Sequence, residues 1–422
     1  MEVARYCIRG RTVAAADPVL QDALALVYQT PERPRCMCVA GGVEMYVARV
    51  GAYVLKRMPG TGGEHAPGCQ SFEPDASLSG LGELLGDAIV EQGAERVEIR
   101  TDFPLARAAL RATGASAVRG SAGSTPAAVA VPRRQLSLRA VLHLLYHRAG
   151  LNRWYPAMQG KRSQAVIRKY LELAAQDVVL KGHVLASRLY VPGPFRVADK
   201  EDIAVRRRQR LSMLMAHDDD GSCAMALLIG QFNGAEPTPY GHRLLVKHMP
   251  DAPLYMDDKA WARTWRAYGP VLQALDADVE HQPMALMAAL VYVRREHLYQ
   301  VDALTMMLVT DQWIPLEGLH ELALVERLQQ QGRAFLKPLR FDARNPAAFA
   351  NALLLDAEGG PCALHVVSPF LDPKERAAKE KAVKTLGQGA WVWRTDEVMP
   401  VLPGRAARQG RAGSGEAAHH LA

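Results

Sequence analysis

Residues 36–69 read CMCVAGGVEMYVARVGAYVLKRMPGTGGEHAPGC, and they hold three of the six cysteines of the 422-residue chain. Cys36, Cys38, His65 and Cys69 form a C-x-C and an H-x3-C pair, the residue types and spacing of a zinc site. Between the pairs, Val43 to Arg57 is rich in Val and Tyr with Gly51 near its middle, the pattern of two strands around a turn. Such a hairpin brings its ends, and so the two ligand pairs, together. Tetrahedral zinc takes thiolate sulfur and imidazole nitrogen at about 2.0 to 2.3 Å, and four protein ligands make a structural rather than a catalytic site. Metal would also order Pro59 to Gly68, too glycine-rich to fold by packing alone. The competing readings are a disulfide or four unconnected loop residues.

Outward from this stretch, the length allows two to four domains, and 49% hydrophobic residues make the chain globular. No apolar run approaches the 18 or so residues of a membrane span, and MEVARYCIRGR lacks a signal-peptide core. The expectation is a cytoplasmic protein with Cys7, Cys223 and Cys362 as reduced thiols and no membrane partner. Charge is uneven. Residues 133–210 carry 17 Lys and Arg against 5 acids, whereas the whole chain is only +7. One segment therefore supplies the basic character.

The expected class is α+β and multidomain. Residues 1–131 form a zinc-binding α/β domain, with a helix from Leu78 to Gln92, a strand from Arg96 to Thr101, a helix from Pro104 to Thr113 and a linker from Gly114 to Pro132. Residues 133–215 form a basic helical domain. There, Leu136 to His147 and Ser163 to Ala175 have helical spacing, and Val184 to Val191 reads as extended. That is a loose helix-turn-helix or winged-helix outline. Residues 216–314 form a mixed α/β domain: strands within Ser222 to Lys247, a helix at Lys259 to Leu275, and strands at Ala288 to Arg294 and Ala303 to Leu308. Residues 315–403 form a restriction-endonuclease-like α/β domain, and 404–422 a disordered tail.

The C-terminal order α-β-β-β-α-β resembles the core of the PD-(D/E)xK nuclease superfamily. That resemblance implies a helix Glu, an Asp on the second strand and a Glu-x-Lys on the third, holding metal to activate water. Glu326 matches the first and Asp356 the second, with Lys337 as a further candidate. The third strand, Ala363 to Ser368, has neither acid nor lysine, which leaves a degenerate nuclease core or an unrelated α/β domain rather than an active nuclease. In the basic segment, Arg153, Trp154, Lys161, Arg162, Arg168, Lys169, Arg206, Arg207 and Arg208 suit a nucleic-acid surface, where cations release counterions from phosphate and rings stack on bases. A solvated basic face is the plainer reading. No G-x-x-x-x-G-K-[ST] loop is present, so no nucleotide cofactor is expected.

Cys36-Met37-Cys38, Leu55 to Gly62, His65 to Cys69, Gly150-Leu151-Asn152-Arg153-Trp154, Lys337-Pro338-Leu339-Arg340-Phe341 and Pro373 to Lys381 together resemble the uncharacterised bacterial domain-of-unknown-function family 1173. The resemblance implies a setting on plasmids and integrative conjugative elements, with other mobile-element proteins as partners, and no established activity. The expected function is a zinc-stabilised, nucleic-acid-associated, non-catalytic accessory protein of a bacterial mobile element, with DNA the favoured nucleic acid. The alternatives are a metal-dependent nuclease with a rearranged site, or a protein-interaction subunit that never meets nucleic acid.

Overall fold

Gly51, at φ +72°, turns the chain between β4 (Val43–Val50) and β5 (Ala52–Arg57), which pair antiparallel from Val50 opposite Ala52 to Met45 opposite Arg57. The expected hairpin is present. It is described here in a computed structural model that places residues 4–92, 96–107, 134–215, 222–277, 279–295, 298–387 and 389–406. β1 (Arg5–Ile8), β2 (Arg11–Ala14) and β3 (Arg35–Cys36) extend the sheet in the order β2-β1-β3-β4-β5. Helix α1 (Leu20–Val27) buries Leu24 and Val27 beneath it, against Ile8.

The helix expected at Leu78 to Gln92 is not formed. Its leucines repeat at helical spacing, but the chain makes a 3-10 turn at Ala76–Leu78, further turns, and then β6 (Ile89–Gln92) beside β7 (Arg96–Ile99). Glycine is the physical reason. A Cβ on Gly80 would lie 2.0 Å from the Arg340 carbonyl oxygen, and one on Gly82 would lie 2.8 Å from that of Ala76. These glycines let the backbone press onto its neighbours, and an exposed helix would forgo that packing. The helix expected at Pro104 to Thr113 also fails where it is described, since Ala106–Arg107 is a short strand, β8. The rest of that helix, the Gly114 to Pro132 linker and the tail beyond 406 lie outside the described residues.

Helices α2 (Leu138–Arg148) and α3 (Gln164–Gln176) occur as their spacing predicts. Ser137 caps α2 by accepting from Ala140 N. They are not a helix-turn-helix. Leu138 and every residue from Ala140 to Tyr146 are buried, and the connection contains β9 (Arg153–Trp154), which pairs with β20 (Phe335–Leu336) in another sheet. After α3, β10 (Val178–Leu180) runs parallel to β7 and pairs with β11 (His183–Val184). The short α4 (Leu185–Arg188) leads to β12 (Leu189–Tyr190), and α5 (Lys200–Arg210) follows. β13 (Cys223–Ala224) pairs back to β8. Sheets therefore cross positions 131, 215 and 314, where the sequence suggested boundaries.

The middle of the chain forms a barrel. β14 (Ala226–Thr238), β15 (Gly241–Val246), β16 (Leu254–Met256), β17 (Met284–Arg295) and β18 (Leu298–Val309) pair in the order β14-β15-β16-β18-β17, and β17 pairs back to β14. All pairs are antiparallel except β16 with β18. Helix α6 (Asp258–Leu275) lies between β16 and β17 in the chain, with Asp257 as its cap. Along β14 and β17, Ala226, Leu228, Met287 and Ala289 join one core, while Leu227, Ile229, Leu286 and Ala288 join another that includes α2. The period-2 alternation of a strand thus serves the barrel interior and its packing neighbours together.

β19 (Pro315–Leu316) adds to β18, and α7 (Leu322–Gln330), β20, β21 (Ala352–Leu354), β22 (Cys362–Val367), α8 (Pro373–Lys384) and β23 (Trp391–Arg394) complete the chain. The element order is the expected one. β20, β21 and β22 are successively antiparallel, and β23 lies parallel to β22 after α8. The protein is mixed α/β with several sheets, and among the described residues no helix is long and apolar enough to cross a membrane.

Candidate metal centre

Cys36 ends β3 and Cys38 follows in the next turn. His65 and Cys69 come after β5, behind a 3-10 turn at Gly62–Glu64. The hairpin returns the second pair to the first. Cys36 Sγ lies 3.7 Å from Cys69 Sγ, Cys38 Sγ 3.3 Å from His65 Nδ1, and Cys69 Sγ 3.8 Å from His65 Nδ1. All four ligand atoms fall within 4.8 Å of one another. A tetrahedron with metal–sulfur bonds of about 2.3 Å has edges of about 3.8 Å, so these separations suit one shared cation better than any pairwise bond. The group can hold a metal ion. No disulfide is formed; all three cysteines are free.

The donors are presented by their surroundings. Ser71 N donates to Cys69 Sγ at 3.4 Å, and the Tyr155 hydroxyl donates to Cys69 O at 3.0 Å. Arg153 donates to Gln70 O at 3.1 Å and also to Phe72 O. Glu73 ties the loop on its far side, pairing with Arg57 and contacting His147 Nε2 at 2.6 Å. A buried Arg from β9 and a Tyr beside it thus hold the second ligand loop. His65 is 2% exposed and its Nε2 has no hydrogen-bond partner. The hydrogen bond with Cys36 pulls the Cys69 thiol down to about 5, while the same contact and burial push Cys36 up.

The nucleic-acid candidates separate into two sets. Arg153, Trp154, Arg162 and Arg207 are buried. Trp154 fills the core beneath the C-terminal sheet, and Arg162 lies over its ring at 5.4 Å while donating to Leu151 O. Arg207 forms a two-pronged pair with Asp251 at 2.7 and 3.1 Å. These four face inward and cannot meet a nucleic acid in this fold. Lys161, Arg168, Lys169, Arg206 and Arg208 are exposed on and before α3 and on α5.

The three nuclease candidates do not share a site. Glu326 pairs with His281 at 3.3 Å. Asp356 is taken up by Arg333, Ala334 N and Arg405. Lys337 is buried against Glu321 at 2.7 Å. Sequence reading passed over the polar centre that does form. Glu321, wholly buried ahead of α7, accepts from Lys337 and Glu317 N through one oxygen and from Asn351 through the other. Burial alone would raise its carboxyl, but the Lys337 ammonium holds it at about 2. Beside it a small cavity is lined by Glu317, His320, Arg340, Glu375 and Lys379. Glu317 and Glu375 are both paired with Arg340. The signal for this centre was an acid three residues into an apolar helix start, which reads equally well as solvent-facing.

A multi-sheet α/β chain with a built Cys3His centre defines the class of protein. The chain matches the family described as protein of unknown function (DUF1173) over residues 6–396, and it belongs to that family. No curated protein matches it.

Proposed function

We propose that this is a zinc-stabilised, nucleic-acid-associated accessory protein of a bacterial mobile element, acting without catalysis. The observation that carries the nucleic-acid part is the exposed set Lys161, Arg168, Lys169, Arg206 and Arg208, which leaves cations at the surface after the buried ones are discounted. The Cys3His separations support zinc, whose tetrahedral preference they match. Phosphate contact by several cations makes affinity fall linearly on a log–log salt plot. Anisotropy of a labelled DNA across a salt series is the test. Lys169→Glu with Arg206→Glu and Arg208→Glu should lower both the affinity and the salt slope. An unchanged slope would leave a protein-interaction subunit as the better account.

Metal analysis tests the other half. Wild type should carry about one zinc per chain, and Cys36→Ser or Cys69→Ser should lose it along with a large part of the thermal stability. Unchanged metal content and melting would end the zinc assignment. A metal-dependent nuclease is the second reading, favoured by the α-β-β-β-α-β order. Magnesium-dependent cleavage abolished in Glu321→Gln or Asp356→Ala would establish it.

A further inference from the structure

β14 to β18 close into a barrel in the order first-second-third-fifth-fourth-first, with the third and fifth strands parallel and a helix between the third and fourth. That is the connectivity of the oligonucleotide/oligosaccharide-binding barrel, whose ligands lie over the second and third strands beside the first-to-second and fourth-to-fifth connections. Here those strands are β15 and β16, and the first connection is the turn at Pro239 and Tyr240. A cavity of about 600 Å3 lies at this place, within the range of sites that take ligands.

Its walls carry Tyr240, Tyr255, Tyr292, His242, Arg107 and Arg263, with Asp257 and Asp302 as the acids among them. Tyr240 is 93% exposed, so its ring serves no core. Arg107 lies 4.2 Å from the Tyr292 ring centroid and is braced by Asp302 at 2.9 Å. His242 is stacked on Trp261 at 5.3 Å. The Tyr292 and His242 rings are thus each held by a neighbour, while Tyr240 stands free in solvent. The barrel itself, residues 226–309, has 7 basic and 9 acidic side chains, so cations for a phosphate chain must come from outside it. Arg107, from β8, supplies one at the cavity wall, and helix α5 is a second source, held at the other end of β15. Arg207 clamps the helix to Asp251 in the β15–β16 connection, and its neighbours Arg206 and Arg208 are exposed.

We propose that this barrel face binds single-stranded nucleic acid, its tyrosines stacking on unpaired bases while the α5 arginines meet the backbone. The proposal rests on the reading that the protein binds nucleic acid, and narrows it to the single-stranded form, because a duplex keeps its base faces stacked internally. An oligosaccharide would use the rings but have no need of the arginines.

The test uses the full-length chain and a fluorescein-labelled oligothymidylate of about 20 nucleotides, longer than the site of one such barrel, against a duplex of the same length. The single strand should bind more tightly. Tyr240→Ala and Tyr255→Ala should each weaken it by about 5- to 150-fold, the range of one lost base stack, and Tyr240→Phe should retain affinity. Melting temperatures check that the variants fold, and Tyr240 is exposed enough that its loss should not matter. If the oligonucleotide binds but both alanine variants bind equally well, the barrel face is the wrong site and the broader reading stands. If neither single strand nor duplex binds at low salt, both are overturned.

Discussion

His143 lies on α2 with its ring edge-on to Phe341, and its Nδ1 accepts a hydrogen bond from Phe341 N at 3.0 Å. Accepting requires the neutral ring, and burial, helped by Arg139 and Arg340, holds its pKa at about 3. The unfolded chain takes up that proton near pH 6.5. The unfolded state therefore binds more protons between pH 6.5 and 3, so the contribution of His143 is complete above 6.5 and lost as pH falls through this window. The expected slope is about 1.4 kcal/mol per pH unit. Urea denaturation of wild type and His143→Gln between pH 7 and 4 should show the variant losing stability less steeply by that amount. At this scale the metal ligands were legible in the sequence, because few roles put three cysteines and a histidine at such spacing. Arg153, Trp154, Arg162 and Arg207 were not. Each is a residue type common on nucleic-acid surfaces, and each is spent here on backbone carbonyls, on core packing or on the Asp251 carboxylate.

Among the elements, the glycine turn at Gly80 is the most informative departure. A Cβ there meets the Arg340 carbonyl oxygen at 2.0 Å, and backbone on both sides leaves little room to relax. Gly80→Ala is expected to cost about 1–3 kcal/mol, the range of overpacking, read as a lowered urea midpoint with an unchanged m-value. Glycine at this position was visible in the sequence, but the partner 260 residues away was not. The helices α2, α3, α6 and α7 were legible because each carries an apolar repeat long enough to show a period. β16 was missed because three residues show no period at all, and yet it links β15 to β18.

Across the whole molecule, the segment 133–215 is shared among three sheets. β9 pairs with β20, β10 with β7, and β12 with β14. A fragment of residues 133–215 is therefore expected to remain largely unfolded, with circular dichroism well below the helix content of α2, α3 and α5 and no cooperative melt. A folded, cooperatively melting fragment would show that these pairings are dispensable. What the sequence by itself determined is local: the Cys3His spacing, the β4–β5 hairpin around Gly51, the long amphipathic helices and the α-β-β-β-α-β order, all written in patterns a few residues apart. Only the tertiary structure decided which basic side chains stay outside, which acid meets Lys337, and that β14 closes onto β17. Those outcomes depend on strand pairings and buried ion pairs between residues far apart in the chain, where burial rather than residue type sets the role.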